Sequence, residues 1–248
     1  MPVFYAQDYS QLSIEAVLVM FGKHAYTADM VEQMDQIGVG SLLIICTALF
    51  CVGGVIVLNA ATQFSRFGET VLTGDALSLS LVRELGPVFT ALLVAGRNAT
   101  GMASQLGSMV VTEQVDAMRA MGIDPIRKLM TPRVLATVLI LPLLVAVGDS
   151  AGLFGGYLVA SLTLHINTQE FWTRAVKALA FGDLVIGFCK PVVFGFIVAT
   201  VGCYRGLRVE GGTAGVGRAT IMAFVDASVC ILIADLFLTR LLLYLFNK

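Results

Sequence analysis

The chain has 248 residues, of which 57% are hydrophobic and 13% charged, with a formal net charge of -1. A soluble domain is about a quarter charged, so this composition belongs to an integral membrane protein. The near-zero net charge argues against a nucleic-acid partner.

Residues 1–36 read as one N-terminal interfacial segment. An apolar run from Leu12 to Phe21 is too short to span a bilayer, and a polar helical stretch with Asp29, Glu32 and Asp35 follows it. The N-terminus is acidic and polar, so no cleavable signal is expected. Residues 37–248 form a single membrane domain. Its first span is expected at about 37–58, followed by a polar outer connection to Asp75. The second span, about 76–110, is longer than a bilayer needs and is expected to tilt, to kink at Pro87 or to project. Along it Ala91, Ala95, Ala99, Ala103 and Gly107 recur every fourth residue, a stripe another helix can approach closely.

The chain then leaves the membrane and makes a short helix, about 112–124. Thr112 is expected to cap it, Glu113 and Asp116 to fill its first turn, Arg119 its last, and Gly122 to end it before Asp124-Pro125. Val115, Met118 and Met121 share its apolar side. So short and polar a helix is not stable alone in water and needs a surface to lie on.

Thr131-Pro132 then reads as a cap with proline in the first turn, opening a third span at about 132–164. Gly148, Gly152 and Gly156 repeat there as a tandem GxxxG. The fourth span is expected at about 181–204, broken by Pro191, and the fifth at about 219–246. With the 112–133 loop inside, eight basic residues fall inside and five outside. The positive-inside rule therefore puts the N-terminus in the cytoplasm and the C-terminus outside.

Charges at membrane depth are costly to bury and therefore informative. Arg83 and Glu84 are neighbours that point to different sides of a helix, so an intrahelical pair explains them poorly. Lining of a polar cavity and pairing with another span both fit them. If unpaired, they need water or a polar ligand, and Pro87 one turn on lets the helix bend there. Lys190 lies roughly 14 Å and Asp235 roughly 16 Å from the outer ends of their spans, at 1.5 Å per residue. That common depth favours a structural ion pair, with Asp149 as a rival partner.

Other motifs are quieter. GTAGVGRA at 212–219 looks like a P-loop, but Arg218 and Ala219 replace the phosphate lysine and the magnesium-binding hydroxyl. A glycine-rich loop opening span 5 is the better reading. His24 and His165 fall on opposite sides of the membrane, so no metal site is expected. Cys46, Cys51, Cys189, Cys203 and Cys230 lie in apolar runs and read as small core residues rather than a disulfide framework. No catalytic arrangement stands out, and no cofactor is expected.

LVRELGPVFTALLVAGR, TEQVDAMRAMGIDPIRKLMTPRVLA and GGTAGVGRAT together resemble the MlaE/YrbE family of ABC-transporter permeases, over residues 37–246. The resemblance implies an all-α homodimer of five-span subunits, each with an N-terminal interfacial helix and a cytoplasmic coupling helix. It implies two cytoplasmic ATPase subunits, a periplasmic MCE-domain protein and, in some systems, a STAS-domain subunit. The implied activity is phospholipid movement between the bacterial inner membrane and the cell envelope. On this reading Glu113, Gln114, Asp116, Met118, Arg119 and Asp124 contact the ATPase. Arg83, Glu84, Pro87 and Arg97 belong to a lipid cavity, where Arg83 offers bidentate donors to the lipid phosphate. A secondary transporter or a non-transporting membrane scaffold is the alternative.

Overall fold

A computed structural model describes residues 27–67, 72–164 and 166–246, and every regular element among them is helical. The helices are α1 (Thr27–Phe64), α2 (Thr73–Val111), α3 (Gln114–Ala120), α4 (Ile126–Leu164), α5 (Thr168–Ala178), α6 (Phe181–Leu207) and α7 (Gly212–Phe246). Five of them, α1, α2, α4, α6 and α7, are long and apolar enough to cross a membrane. The protein is an all-α membrane protein. Hydrocarbon offers no water to a free N–H or C=O, so an uninterrupted helix is the favoured state of each apolar run.

That pressure moves several expected boundaries. The polar stretch before residue 37 is not a separate element, because α1 runs unbroken from Thr27 to Phe64; Leu12 to Phe21 lie outside the described residues. The connection expected at 59–75 is largely helical, with α1 passing into a 3-10 turn at Ser65–Phe67. Neither Pro87 nor Pro191 breaks its helix. Residues 212–219 are the first turns of α7 rather than a loop.

The two expected threonine caps also differ. Thr112 turns its hydroxyl back to the Ser108 carbonyl at 2.9 Å. Glu113, at φ 58°, is the N-cap of α3 instead. Thr131 is already helical, at φ -57°. The entry to α4 is set earlier, where Asp124 Oδ1 accepts the Ile126 N–H at 2.9 Å and Pro125 fills the first turn.

The described chain divides into two compact units, and each long helix contributes to both. The first takes in residues up to 40, 91–140 and 193–234. Its small-residue stripe is a packing seam: Ala91, Ala95, Ala99 and Ala103 are fully buried. A Cβ at Gly202 would come within 2.9 Å of the Ala99 backbone, and one at Gly206 within 3.0 Å of the Ala103 Cα. The second unit takes in 41–90, 141–192 and 235–248. There α1 and α4 touch backbone to backbone, since a Cβ at Gly53 would overlap the Gly152 carbonyl and one at Gly155 the Phe50 carbonyl.

Helix α5 was not anticipated. Asn167 caps it by accepting the Gln169 N–H at 2.9 Å. Buried Phe171 anchors it beside Tyr157 and Trp172, and Arg174 lies 3.8 Å from Asp75 on α2. Of the cysteines only Cys203 is buried; Cys51 and Cys189 are exposed.

Candidate functional site

The densest set of charges lies in the second unit and starts from a helix defect. Residues Leu81–Leu85 of α2 form a π-turn, in which the Gly86 N–H reaches back to the Leu81 carbonyl. Pro87 follows and has no N–H, so the carbonyl of Arg83, four residues earlier, loses its helical donor. Lys190 of α6 supplies the replacement, donating to Arg83 O at 3.1 Å.

Lys190 is fully buried, and an ammonium has three N–H donors. The other two go to Glu84 Oε2 at 2.5 Å and Thr239 Oγ1 at 2.7 Å. Thr239 can in turn donate to Glu84 Oε2 at 3.2 Å. Asp235 Oδ1 is 2.9 Å from the ammonium. It is nonetheless outside hydrogen-bonding geometry, so the two meet as charges. The arrangement is one lysine between two carboxylates, with Glu84 on its open edge at 38% side-chain exposure.

Arg83 points elsewhere. Its Nε lies 3.2 Å from Asp183 Oδ1 at the start of α6. Asp183 Oδ2 accepts the Ala180 N–H at 3.0 Å, so one carboxylate both caps α6 and holds the guanidinium. The structure thus places Lys190 beside Asp235, and adds Glu84, Thr239 and Asp183 to the site. Asp149 is not at Lys190; it lies against Gly86. Of the two readings open for Arg83 and Glu84, pairing with another span is present for both: each meets a charge of α6. Arg97 does not join them: it belongs to the first unit, where its guanidinium lies against Gly40.

Two of the added residues left a trace in the sequence. Thr239 stands four residues after Asp235, hence on the same helix face. Asp183 stands three residues after Ala180, the spacing of a reciprocal cap.

The first unit carries the second candidate surface. Val115 of α3 is 3% exposed and packs into a core with Ile37, Met102, Leu106 and Met130, with partly buried Met118 against it. Met118 thus helps anchor the helix, while Met121 is 68% exposed. Glu113, Gln114, Asp116, Arg119 and Asp124 are exposed. Asp116 and Arg119 pair at 2.9 Å, Asp124 and Arg127 at 3.3 Å. Gly122, at φ 75°, ends the helix, and the Ile123 N–H returns to Met118 O at 2.9 Å. Lys128 Nζ holds Asp29 of α1 at 2.6 Å, tying this connection to α1.

A family model described as the permease MlaE matches residues 30–241. A probable ABC transporter permease protein of Rickettsia typhi is 41% identical over 217 residues, 88% of this chain and 84% of the relative. The intermembrane phospholipid transport system permease protein MlaE of Haemophilus influenzae is 33% identical over 214 residues, 86% of this chain and 82% of the relative. The chloroplastic protein trigalactosyldiacylglycerol 1 of Arabidopsis thaliana is 34% identical over 225 residues, 91% of this chain and 64% of the relative.

Proposed function

The chain belongs to the MlaE permease family, and from that premise we propose that it is the membrane subunit of an ABC transporter moving phospholipid between the inner membrane and the cell envelope. The observation that carries this reading is the family match over residues 30–241, which takes in most of all five long helices. ATP hydrolysis is assigned to a separate ATPase.

The ATPase contact is assigned to α3 and its flanks, through Glu113, Gln114, Asp116, Arg119, Met121 and Asp124. What supports this is a helix anchored by Val115 and Met118 that turns a charged face outward. The same side then faces the cytoplasm, with the C-terminus outside, as the distribution of basic residues favours. A second copy of the chain, an MCE-domain protein and in some systems a STAS-domain subunit complete the assembly.

For lipid contact, Arg83 is the best-placed charge. It gives Nε to Asp183, is 29% exposed at its side chain, and keeps its terminal nitrogens for a phosphate. Glu84 and Pro87 shape the same part of α2, while Arg97 serves separately.

The test is transfer of labelled phospholipid between vesicles by the reconstituted permease and ATPase. Transfer is expected only with ATP and both subunits. Equal transfer without the ATPase refutes the reading in favour of a secondary transporter. Stable assembly with no ATP-dependent transfer leaves a scaffold.

A further inference from the structure

In the first unit, the end of α6, the start of α7 and the connection between them enclose a half-open cavity of about 300 Å³. Its walls carry Arg205, Arg208, Arg218 and Glu210 beside the apolar Val209 and Met222. Arg205 is already answered, since Asp226 of α7 meets both its Nε and a terminal nitrogen. The guanidinium carbon of Arg208 lies 5.2 Å from the centre of the Tyr204 ring, so an aromatic face supports it. Arg218 has no ion pair or hydrogen bond among the described residues. One of its terminal nitrogens stands over Gly211, at φ 86°, only 3.3 Å from where a Cβ would sit.

Three guanidiniums thus converge with two carboxylates, Asp226 and Glu210, which leaves one positive charge in excess among the described residues. Converging like charges repel, and an anion between them offsets that cost. Planar guanidinium donors match the paired oxygens of a phosphate. A phosphodiester brings a single negative charge, whereas a phosphomonoester brings about 1.5–2, so the diester fits the count. Depth points the same way. Val209 and Val216 pack around Gly107 of α2, and the adjacent Leu106 shares a core with Val115 of the polar helix α3. The cavity therefore lies where α2 leaves its apolar span, which is the level of lipid headgroups. Further along α7, towards the bilayer centre, Ile221, Met222 and Val225 are exposed and apolar. A headgroup in the cavity has there a surface for its chains, which a soluble anion does not need.

We propose that this cavity binds a phosphate group, and that the group is the phosphodiester of an anionic phospholipid retained at the permease rather than transported. Arg218 is the principal donor, Arg208 lies beside it, and the Arg205–Asp226 pair fixes the wall. Basic pockets between membrane helices recognise anionic headgroups in this manner. The site is distinct from Arg83, which belongs to the second unit. A headgroup bearing ethanolamine or choline adds a cation to a lining that already has one in excess, so phosphatidylglycerol is preferred.

The experiment places the full-length permease in phosphatidylcholine nanodiscs with a small fraction of phosphatidylglycerol carrying a diazirine near its glycerol. Peptide mass spectrometry reads photolabelling of residues 204–222. Labelling there is expected, and unlabelled phosphatidylglycerol should compete it away while phosphatidylethanolamine at equal fraction should not. Inorganic phosphate is the control for source: competition by it as strong as by the lipid assigns a soluble phosphate and overturns the lipid. Arg218→Gln, folded by its melting curve, should lower labelling about tenfold, the effect of one charge-assisted hydrogen bond, and Arg218→Lys should keep most of it. Labelling unchanged in Arg218→Gln, or displaced equally by every lipid, overturns the site. An equal loss in Arg83→Ala means that the labelled lipid is the transported one, which overturns retention. Labelling abolished by added ATPase in every lipid makes the cavity a seat for an acidic side chain of that partner, and the proposal fails.

Discussion

Replacing Lys190 with methionine isolates what the buried ammonium does, because the two side chains have similar length and only the charge is lost. The ammonium donates to Arg83 O at 3.1 Å, and it reaches Glu84 and Thr239 at 2.5 and 2.7 Å and Asp235 at 2.9 Å. Its loss leaves two carboxylates with no cation between them. Removing one member of a buried pair costs about 3–5 kcal/mol. Glu84 is partly exposed and has room to turn away from the vacated position, which places the expected loss near the lower figure. For a chain of this size about 2–4 °C accompanies each kcal/mol, so the purified protein should melt roughly 6–12 °C lower. The partners should not be equal. Glu84 is hydrogen-bonded, while Asp235 is held by distance alone, so the cycle with Glu84→Gln should show the larger coupling. The triple change with Asp235→Asn should recover much of the loss. A Lys190→Met protein melting within 1–2 °C of the parent, or strictly additive cycles, would refute this account of the cluster.

Three further outcomes follow from the packing. Gly53→Ala, which drives a methyl into the Gly152 carbonyl, should lower stability by about 1–3 kcal/mol, measured in the same melt; Gly101→Ala, with open space around it, should not. Asp116→Lys with Met121→Lys should release the ATPase on co-purification while the permease keeps its melting temperature; Val115→Lys should unfold this region instead, and full ATPase retention by the first pair argues against α3 as the contact. Arg83→Ala should reduce ATP-driven lipid transfer several-fold with assembly intact. Asp183→Ala, which frees rather than removes the guanidinium, should reduce it less, and equal losses mean the pair is structural.

What could be read from the sequence is what depends on spacing along a single helix. Ala91, Ala95, Ala99 and Ala103 announce a seam because four residues are nearly one turn, and Lys190 and Asp235 meet because depth is a count of residues. What could not be read depends on choices with the same local spelling. Thr112 and Thr131 have the chemistry of helix caps, but a threonine hydroxyl bonds a preceding carbonyl equally well. Thr112 closes the last turn of α2, and Thr131 lies in a turn that continues. The membrane favours continuation too, which is why α1 absorbs its polar start and α7 begins at Gly212. Helix α5 has the charge of a loop, though Asn167 and Glu170 stand at the spacing of a cap.

The partners of Arg83 and Glu84 were hidden for a different reason. Their directions depend on the π-turn at Leu81–Leu85, and an extra residue in a turn rotates everything after it relative to an α-helix. No residue in LVREL demands that turn. Pro87 accounts for its use: the proline deprives Arg83 of a donor for its carbonyl, and a fully buried lysine from α6 restores it. Once that ammonium stands at the defect, Glu84 and Thr239 are drawn to its remaining two N–H groups. Asp235, arriving from α7, meets the ammonium at 2.9 Å as a charge contact. The proline, the lysine and the two carboxylates are thus one structural solution, in which each polar group offsets the cost of burying another.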